Sequence, residues 1–178
     1  MKFWKKLLIG GLCFACCFFL VGFFLPSHVR ITRSLLVRAT PEALFPPIAT
    51  LNRWPEWTPW NTNRFPDLTM RFEGPATGVG AIMIAAGKSS GDGTVIITAA
   101  EPASGIAYTL DFKHGTQLFT GAIRFTNAAD GLLVTWTLDA ELGRNPLKRW
   151  AGFALDPLMG GDMEKGLANL QQATAPPP

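Results

Sequence analysis

The spacing of apolar residues changes period several times along the chain. Residues 7 to 25, LLIGGLCFACCFFLVGFFL, run nineteen positions without a charge. As a helix rising about 1.5 Å per residue they span roughly 28 Å, close to the hydrocarbon thickness of a bilayer. From His28 to Ala39 the period drops to two: Val29, Ile31, Arg33, Leu35 and Val37 share one side, with His28, Arg30, Thr32 and Ser34 on the other. That pattern predicts a strand carrying an arginine at one inward position. ATPEALFPPIATL then shifts to helical spacing. Thr40 is a good N-cap, Pro41 suits the first helical position and Glu42 the first turn. Pro46 and Pro47 should kink or end that helix, predicting two short pieces, 41–45 and about 48–54.

Six further strand-like runs follow: 68–74, 79–87, 94–101, 106–113, 117–126 and 132–142. Their alternation predicts one buried and one wet face, and short links such as AADG imply antiparallel meander pairing. Glycines 80, 87 and 121 are candidate bend or bulge points. After Asn145-Pro146 the period becomes helical again: Leu147, Trp150, Ala151, Ala154, Leu155 and Leu158, then Met163, Leu167 and Leu170. This predicts one long amphipathic helix, bent or broken at Gly160-Gly161 and ending near Ala173. A seven-stranded curved antiparallel sheet has one apolar face to cover, and this helix is the long element left to cover it. The fold class is therefore α+β. The division is an N-terminal anchor (1–26), one folded domain (27–174) and a disordered proline tail (175–178).

Charge adds to the picture mainly by exclusion. Three of the sixteen basic residues precede the apolar run, so the remaining chain carries thirteen against thirteen acidic residues. The basic balance belongs to the anchor, and no basic face for nucleic acid is expected. All three cysteines lie in the apolar run, which excludes a disulfide framework or a cysteine zinc site in the domain. A cleaved signal peptide would need a shorter run and small residues at its end, whereas Phe23, Phe24 and Leu25 stand there. Lys2, Lys5 and Lys6 before the run favour a cytoplasmic N-terminus, although Arg30, Arg33 and Arg38 follow it.

Five phrases in order carry a family likeness: FLPSHVRITRSLLVRATPEALF, LNRWPEWTPWN, GPATGVGA, VTWTL and GGDMEKGLANLQ. Together they resemble the SRPBCC superfamily, which groups START-related lipid-binding domains, birch-pollen-allergen-like proteins and polyketide cyclases or aromatases. The likeness is strongest to bacterial membrane-anchored polyketide cyclase/dehydrase-like members. It implies a helix-grip fold, the curved sheet closing around the long C-terminal helix with two short helices after the first strand. It also implies a hydrophobic cavity between sheet and helix, but no universal catalytic motif. The expected location is a bacterial inner membrane, crossed once, with the C-terminal domain outside the cytoplasm. The expected partners are a lipid or hydrophobic small molecule, and the membrane through residues 7–25. Protein partners are left open.

Chemistry is sparse. His28 sits beside the span, and His114 with Asp111 falls at a turn, where a solvated role is expected. No nucleophile elbow, zinc motif or phosphate loop is present. No catalytic residue, metal site or cofactor is predicted. Asp162, Glu164 and Lys165 are expected to be exposed, as are Arg71 and Arg124. The expected cavity lining is apolar: Phe45, Trp54, Trp57, Trp60, Phe72, Met83, Tyr108, Phe112, Phe119, Trp136, Trp150, Met159 and Met163. Three of the six tryptophans fall within RWPEWTPW, where they either pack the short helices or frame the cavity entrance. Two rival readings stand beside a binding role. One is a cyclase or aromatase using Tyr108 or an inward aspartate. The other is an envelope interaction protein whose interior is simply core.

Overall fold

The computed structural model describes residues 2–112, 115 and 117–174. Helix α1 (Lys2–Phe24) leads through three residues into strand β1 (His28–Val37). Helix α2 (Pro41–Ala49), a 3-10 turn (Leu51–Arg53) and helix α3 (Trp54–Trp57) follow. Six strands come next: β2 (Thr69–Glu73), β3 (Ile82–Ala86), β4 (Gly93–Glu101), β5 (Gly105–Phe112), β6 (Gln117–Ala128) and β7 (Gly131–Glu141). Helices α4 (Pro146–Gly152) and α5 (Leu155–Thr174) close the chain. The strands form one antiparallel sheet in the order β1-β7-β6-β5-β4-β3-β2. The curved sheet grips α5 on its concave side, the helix-grip arrangement expected from the sequence.

The core is the inward half of each alternation: Ile31 and Val37 on β1, Ile97 on β4, Ile106 and Tyr108 on β5, and Val134, Trp136 and Leu138 on β7 are all at most 2% exposed. Helix α5 contributes Met163, Leu167 and Leu170. Arg33, the inward arginine of β1, reaches under α5 instead of breaking the core. Its guanidinium pairs with Glu164 at 2.5 Å and Asp156 at 2.9 Å, over Gly160, where a β-carbon would occupy the same space. The arginine therefore ties the edge strand to the helix.

Four local expectations need correction. Pro46 and Pro47 do not divide α2, which runs on to Ala49. The two missing N–H groups would have paired with the carbonyls of Glu42 and Ala43, which lie in an exposed turn that water can reach. Thr40 stands at the N-cap without a capping side-chain bond. In the C-terminal segment the break falls at Phe153-Ala154, and the Gly160-Gly161 pair lies inside the continuous α5. The sheet's register irregularity lies between Ile97 and Ala99 rather than at glycines 80, 87 or 121. His114 and the tail at 175–178 lie outside the described residues.

Candidate functional site

Helix α5 has β1 and β7 as its strand neighbours, at one side of the sheet. The remaining concave surface continues past it, and between the two lies a cavity of about 480 Å³. That volume falls within the roughly 300–1,000 Å³ of small-molecule pockets. Four of the chain's five methionines (Met70, Met83, Met159 and Met163) stand in its wall. Thioether side chains are flexible and polarizable, so this wall can adapt to apolar guests of differing outline.

The tryptophan segment builds one end. Helix α2 ends with carbonyls that lack intrahelical donors, and two indoles supply them. Trp54 Nε1 donates to the Ile48 carbonyl at 2.9 Å, and Trp57 Nε1 donates to the Pro47 carbonyl at 3.1 Å. With its N–H satisfied in this way, Trp54 sets its ring edge-on to Tyr108, 5.2 Å between centroids. Trp57 instead packs against Trp136 at 5.3 Å and is 1% exposed. Asn169 on α5 donates its side-chain amide to the Trp57 carbonyl at 3.0 Å, fixing the segment to the long helix. The cluster thus plays both roles: Trp54 and Trp60 face the cavity, and Trp57 is packing.

Of the thirteen residues expected in the wall, the cavity is lined by Trp54, Trp60, Met83, Tyr108, Phe112, Phe119, Trp136, Met159 and Met163. The other four lie elsewhere. Phe45 packs against the core from α2, and Trp57 is buried behind Trp136. Phe72 pairs with Met83 across β2 and β3 and so shares its face, but on the edge strand it is 42% exposed and outside the wall. Trp150 packs against α1 rather than the cavity.

Thr58, Ser90, Gln117, Tyr108 and Asp162 are the polar side chains of this mostly apolar wall, and two of them bear most on its chemistry. Tyr108 is 2% exposed, and its hydroxyl accepts the Trp136 indole N–H at 2.7 Å. Burial pushes the phenol well above its ordinary range, opposed only in part by that bond. The neutral phenol is thus favoured in the folded protein, and the unfolded chain loses this proton first. Its contribution to stability is complete below about pH 10 and should fall above that by about 1.4 kcal/mol per pH unit. Tyr108 is the single tyrosine, so phenolate absorbance reports on it alone. We expect native protein to titrate well above the denatured chain, and Tyr108→Phe to remove the alkaline loss of stability. Coincident native and denatured titrations would contradict this burial.

The second group is Asp162, expected at the surface but 8% exposed and in the cavity wall. It lies three residues after Met159 and four before Gly166, on the buried stripe of α5. That spacing was readable in the sequence. Its partner was not: Arg64, from the loop after the tryptophan segment, brings Nη1 to 2.6 Å from Asp162 Oδ2. Asn61 shapes that loop by accepting the backbone N–H groups of Asn63 and Arg64 at 3.1 and 3.2 Å. Among the described residues no group of three or more His, Cys, Asp or Glu is placed to hold a metal ion.

Comparison with known proteins places the chain. Residues 28–175 match the family described as polyketide cyclase/dehydrase and lipid transport. No curated protein matches the chain in sequence. Among solved structures it is similar to the di-domain ARO/CYC StfQ of the steffimycin biosynthetic pathway, with TM-score 0.61 and 14% identity, covering 83% of this chain and 50% of that one. The chain therefore spans about half the length of that di-domain protein. It is similar to the major latex-like protein 151 of Panax ginseng, with TM-score 0.58 and 13% identity over 85% of this chain and 100% of that one. It is also similar to Ara h 8.0201, with TM-score 0.53 and 14% identity over 83% and 94% of the two chains. At such identities the likeness concerns the fold alone.

Proposed function

The chain belongs to the polyketide cyclase/dehydrase and lipid transport family of the SRPBCC superfamily, and on that premise we propose that it is a membrane-anchored carrier of a lipid or similar hydrophobic molecule. The observation that carries this reading is the cavity of about 480 Å³, bounded mainly by methionine and aromatic side chains, with Thr58, Tyr108 and Asp162 among its buried polar groups. An apolar guest gains by leaving water there, at about 25 cal/mol per Å² of buried surface. A hydroxyl or carbonyl on the guest would accept from Tyr108, whose oxygen already receives the indole N–H and whose own proton remains to donate.

Binding is favoured over catalysis by the same tyrosine. A general acid or base works best with a pKa near the operating pH. Burial drives Tyr108 the other way, leaving it a hydrogen-bond donor. The anchor in this proposal is α1, whose residues Phe3–Phe24 are long and apolar enough to cross a bilayer. A signal sequence passes the same test of length and composition, but the packing of α1 against the folded domain favours a retained span.

Protein taken from its host membrane should carry an apolar passenger at near-unit stoichiometry in native mass spectrometry, identifiable after extraction. As a defined probe, cis-parinaric acid should quench the tryptophan emission. Ala85→Phe, which fills the cavity from β3, should weaken that binding by an order of magnitude or more, about 1.4 kcal/mol per tenfold, with little change in Tm. An empty native protein that also ignores the probe would overturn the carrier reading.

A further inference from the structure

Helix α4 is fastened to the last turns of α1, and the join is specific. Gly22 of α1 lies against Pro146: a β-carbon there would meet the proline Cβ at 2.6 Å and Trp150 Nε1 at 3.0 Å. Trp150 donates its indole N–H to the Phe18 carbonyl at 3.1 Å and stacks on the Phe18 ring, 4.8 Å between centroids and 9° from parallel. Arg149 donates to the carbonyls of Phe23, Leu25 and Gly143. The last carbonyls of a helix have no donors of their own, and this guanidinium reaches one of them, Phe23, together with the Leu25 carbonyl just past the end of α1.

Depth follows from the contact. Phe18 lies six residues before the end of α1 at Phe24, which is about 9 Å along the axis. The uncharged run is only just long enough to span a bilayer, so little of it can be lifted clear of the hydrocarbon. A tryptophan bonded to Phe18 must then sit at or below the headgroups. What α4 and the start of α5 present outward fits that depth: Leu147 is 53%, Phe153 62% and Leu158 69% exposed. Arg149 turns its charge to the Phe23 and Leu25 carbonyls where α1 ends, as a snorkelling side chain does. Leu158 also lines the cavity, alongside Leu155 and Met159. A residue both largely exposed and in the wall marks the rim. The apolar outer patch and the cavity mouth are therefore continuous.

We propose that α4 and the first turns of α5 are embedded in the membrane surface beside α1, with Leu147, Trp150, Phe153 and Leu158 at the boundary of headgroups and acyl chains. The cavity mouth at Leu155, Leu158 and Met159 then opens onto lipid rather than water. The guest is an acyl-chain amphiphile that enters sideways from the leaflet. Apolar faces of this kind bind in the interface plane. The inference rests on α1 being a span, and its test separates the two.

The full chain is reconstituted in vesicles of phosphatidylcholine and phosphatidylglycerol, some bearing a nitroxide high on the acyl chain. Bimane is attached to single cysteines in an otherwise cysteine-free background: native Cys13 alone, Phe153→Cys, Leu158→Cys, or Asp130→Cys. Asp130 sits at the far end of the sheet, about 33 Å away by the ten-residue length of β1. The expected result is loss of emission with nitroxide lipid at positions 13, 153 and 158, and loss with aqueous iodide only at 130. Quenching at 13 by lipid, with 153 and 158 answering to iodide, overturns the inference and leaves the span intact. Protection of 153 and 158 from both quenchers also overturns it, since a second copy or a protein partner would then cover the patch. No lipid quenching at 13 removes the span, and the inference with it. A second measurement bears on access: Phe153→Asp should slow uptake of cis-parinaric acid from vesicles while leaving uptake from dilute solution unchanged. Equal slowing of both routes would count against entry from the leaflet.

Discussion

Replacing Gly121 with alanine should destabilise the domain by about 2–4 kcal/mol. Gly121 faces Tyr108 across β5 and β6, and the phenol ring lies over it. A β-carbon there would stand 2.5 Å from both Cε atoms of the ring. The ring cannot yield cheaply, because the Trp54 ring sits edge-on to it and its hydroxyl holds the Trp136 indole at 2.7 Å. Overpacking of this kind costs about 1–3 kcal/mol, and a stranded buried N–H adds about 1–3 kcal/mol. Alanine returns roughly 0.5–1 kcal/mol of backbone entropy relative to glycine. For a chain of this size each kcal/mol moves Tm by about 2–4 °C, so thermal unfolding should fall by roughly 5–15 °C. An unchanged Tm would mean that the ring is free to swing into the cavity.

Removing Arg64 should be nearly as damaging, by about 1–3 kcal/mol. Asp162 would be left as a carboxylate in an apolar wall with its guanidinium gone. Breaking a fully buried pair costs about 3–5 kcal/mol. Here the arginine side chain is 45% exposed, so water can follow it in and the loss is smaller. The sign of a second change is the sharper test. Arg64→Ala with Asp162→Leu should regain most of the stability, since an apolar pair can replace a buried ionic one without loss. Denaturant unfolding of both single variants and the double variant gives the coupling directly. Additive effects would show that the pair contributes nothing as a pair.

The sheet was legible because alternation is a local signal. Each inward residue of β5 to β7 follows from period two, as does β4 up to the irregularity after Ile97, and the antiparallel order follows from short links. The cavity wall was legible only where that signal sufficed. Met83, Tyr108, Phe119 and Trp136 share the inward face and line the cavity. Phe72 shares the same face, yet at the far end of edge strand β2 it is 42% exposed and outside the wall, while Met70 on the same strand lines the cavity. Alternation gives a side, not a depth. Trp57 and Trp150 show another gap: both are aromatic residues on helices near the site, and only their hydrogen-bond partners, Pro47 in one case and Phe18 in the other, decide what they pack against. Those partners lie 10 and 132 residues away in the chain, and periodicity reports neither an indole N–H bond nor the carbonyl that accepts it. Asp162 was misplaced for a different reason. Its charge argued for solvent, but its helical position argued for burial, and a partner at Arg64 let position win.

The joint between α1 and β1 is three residues long, Leu25-Pro26-Ser27, and Arg149 grips the carbonyls on its near side. In the anchored protein this leaves no leash. If α1 spans the bilayer as proposed, so short a joint would hold the domain against one leaflet with little freedom to lean or turn. An acceptor for the passenger of the proposed carrier would then have to come down to the bilayer itself.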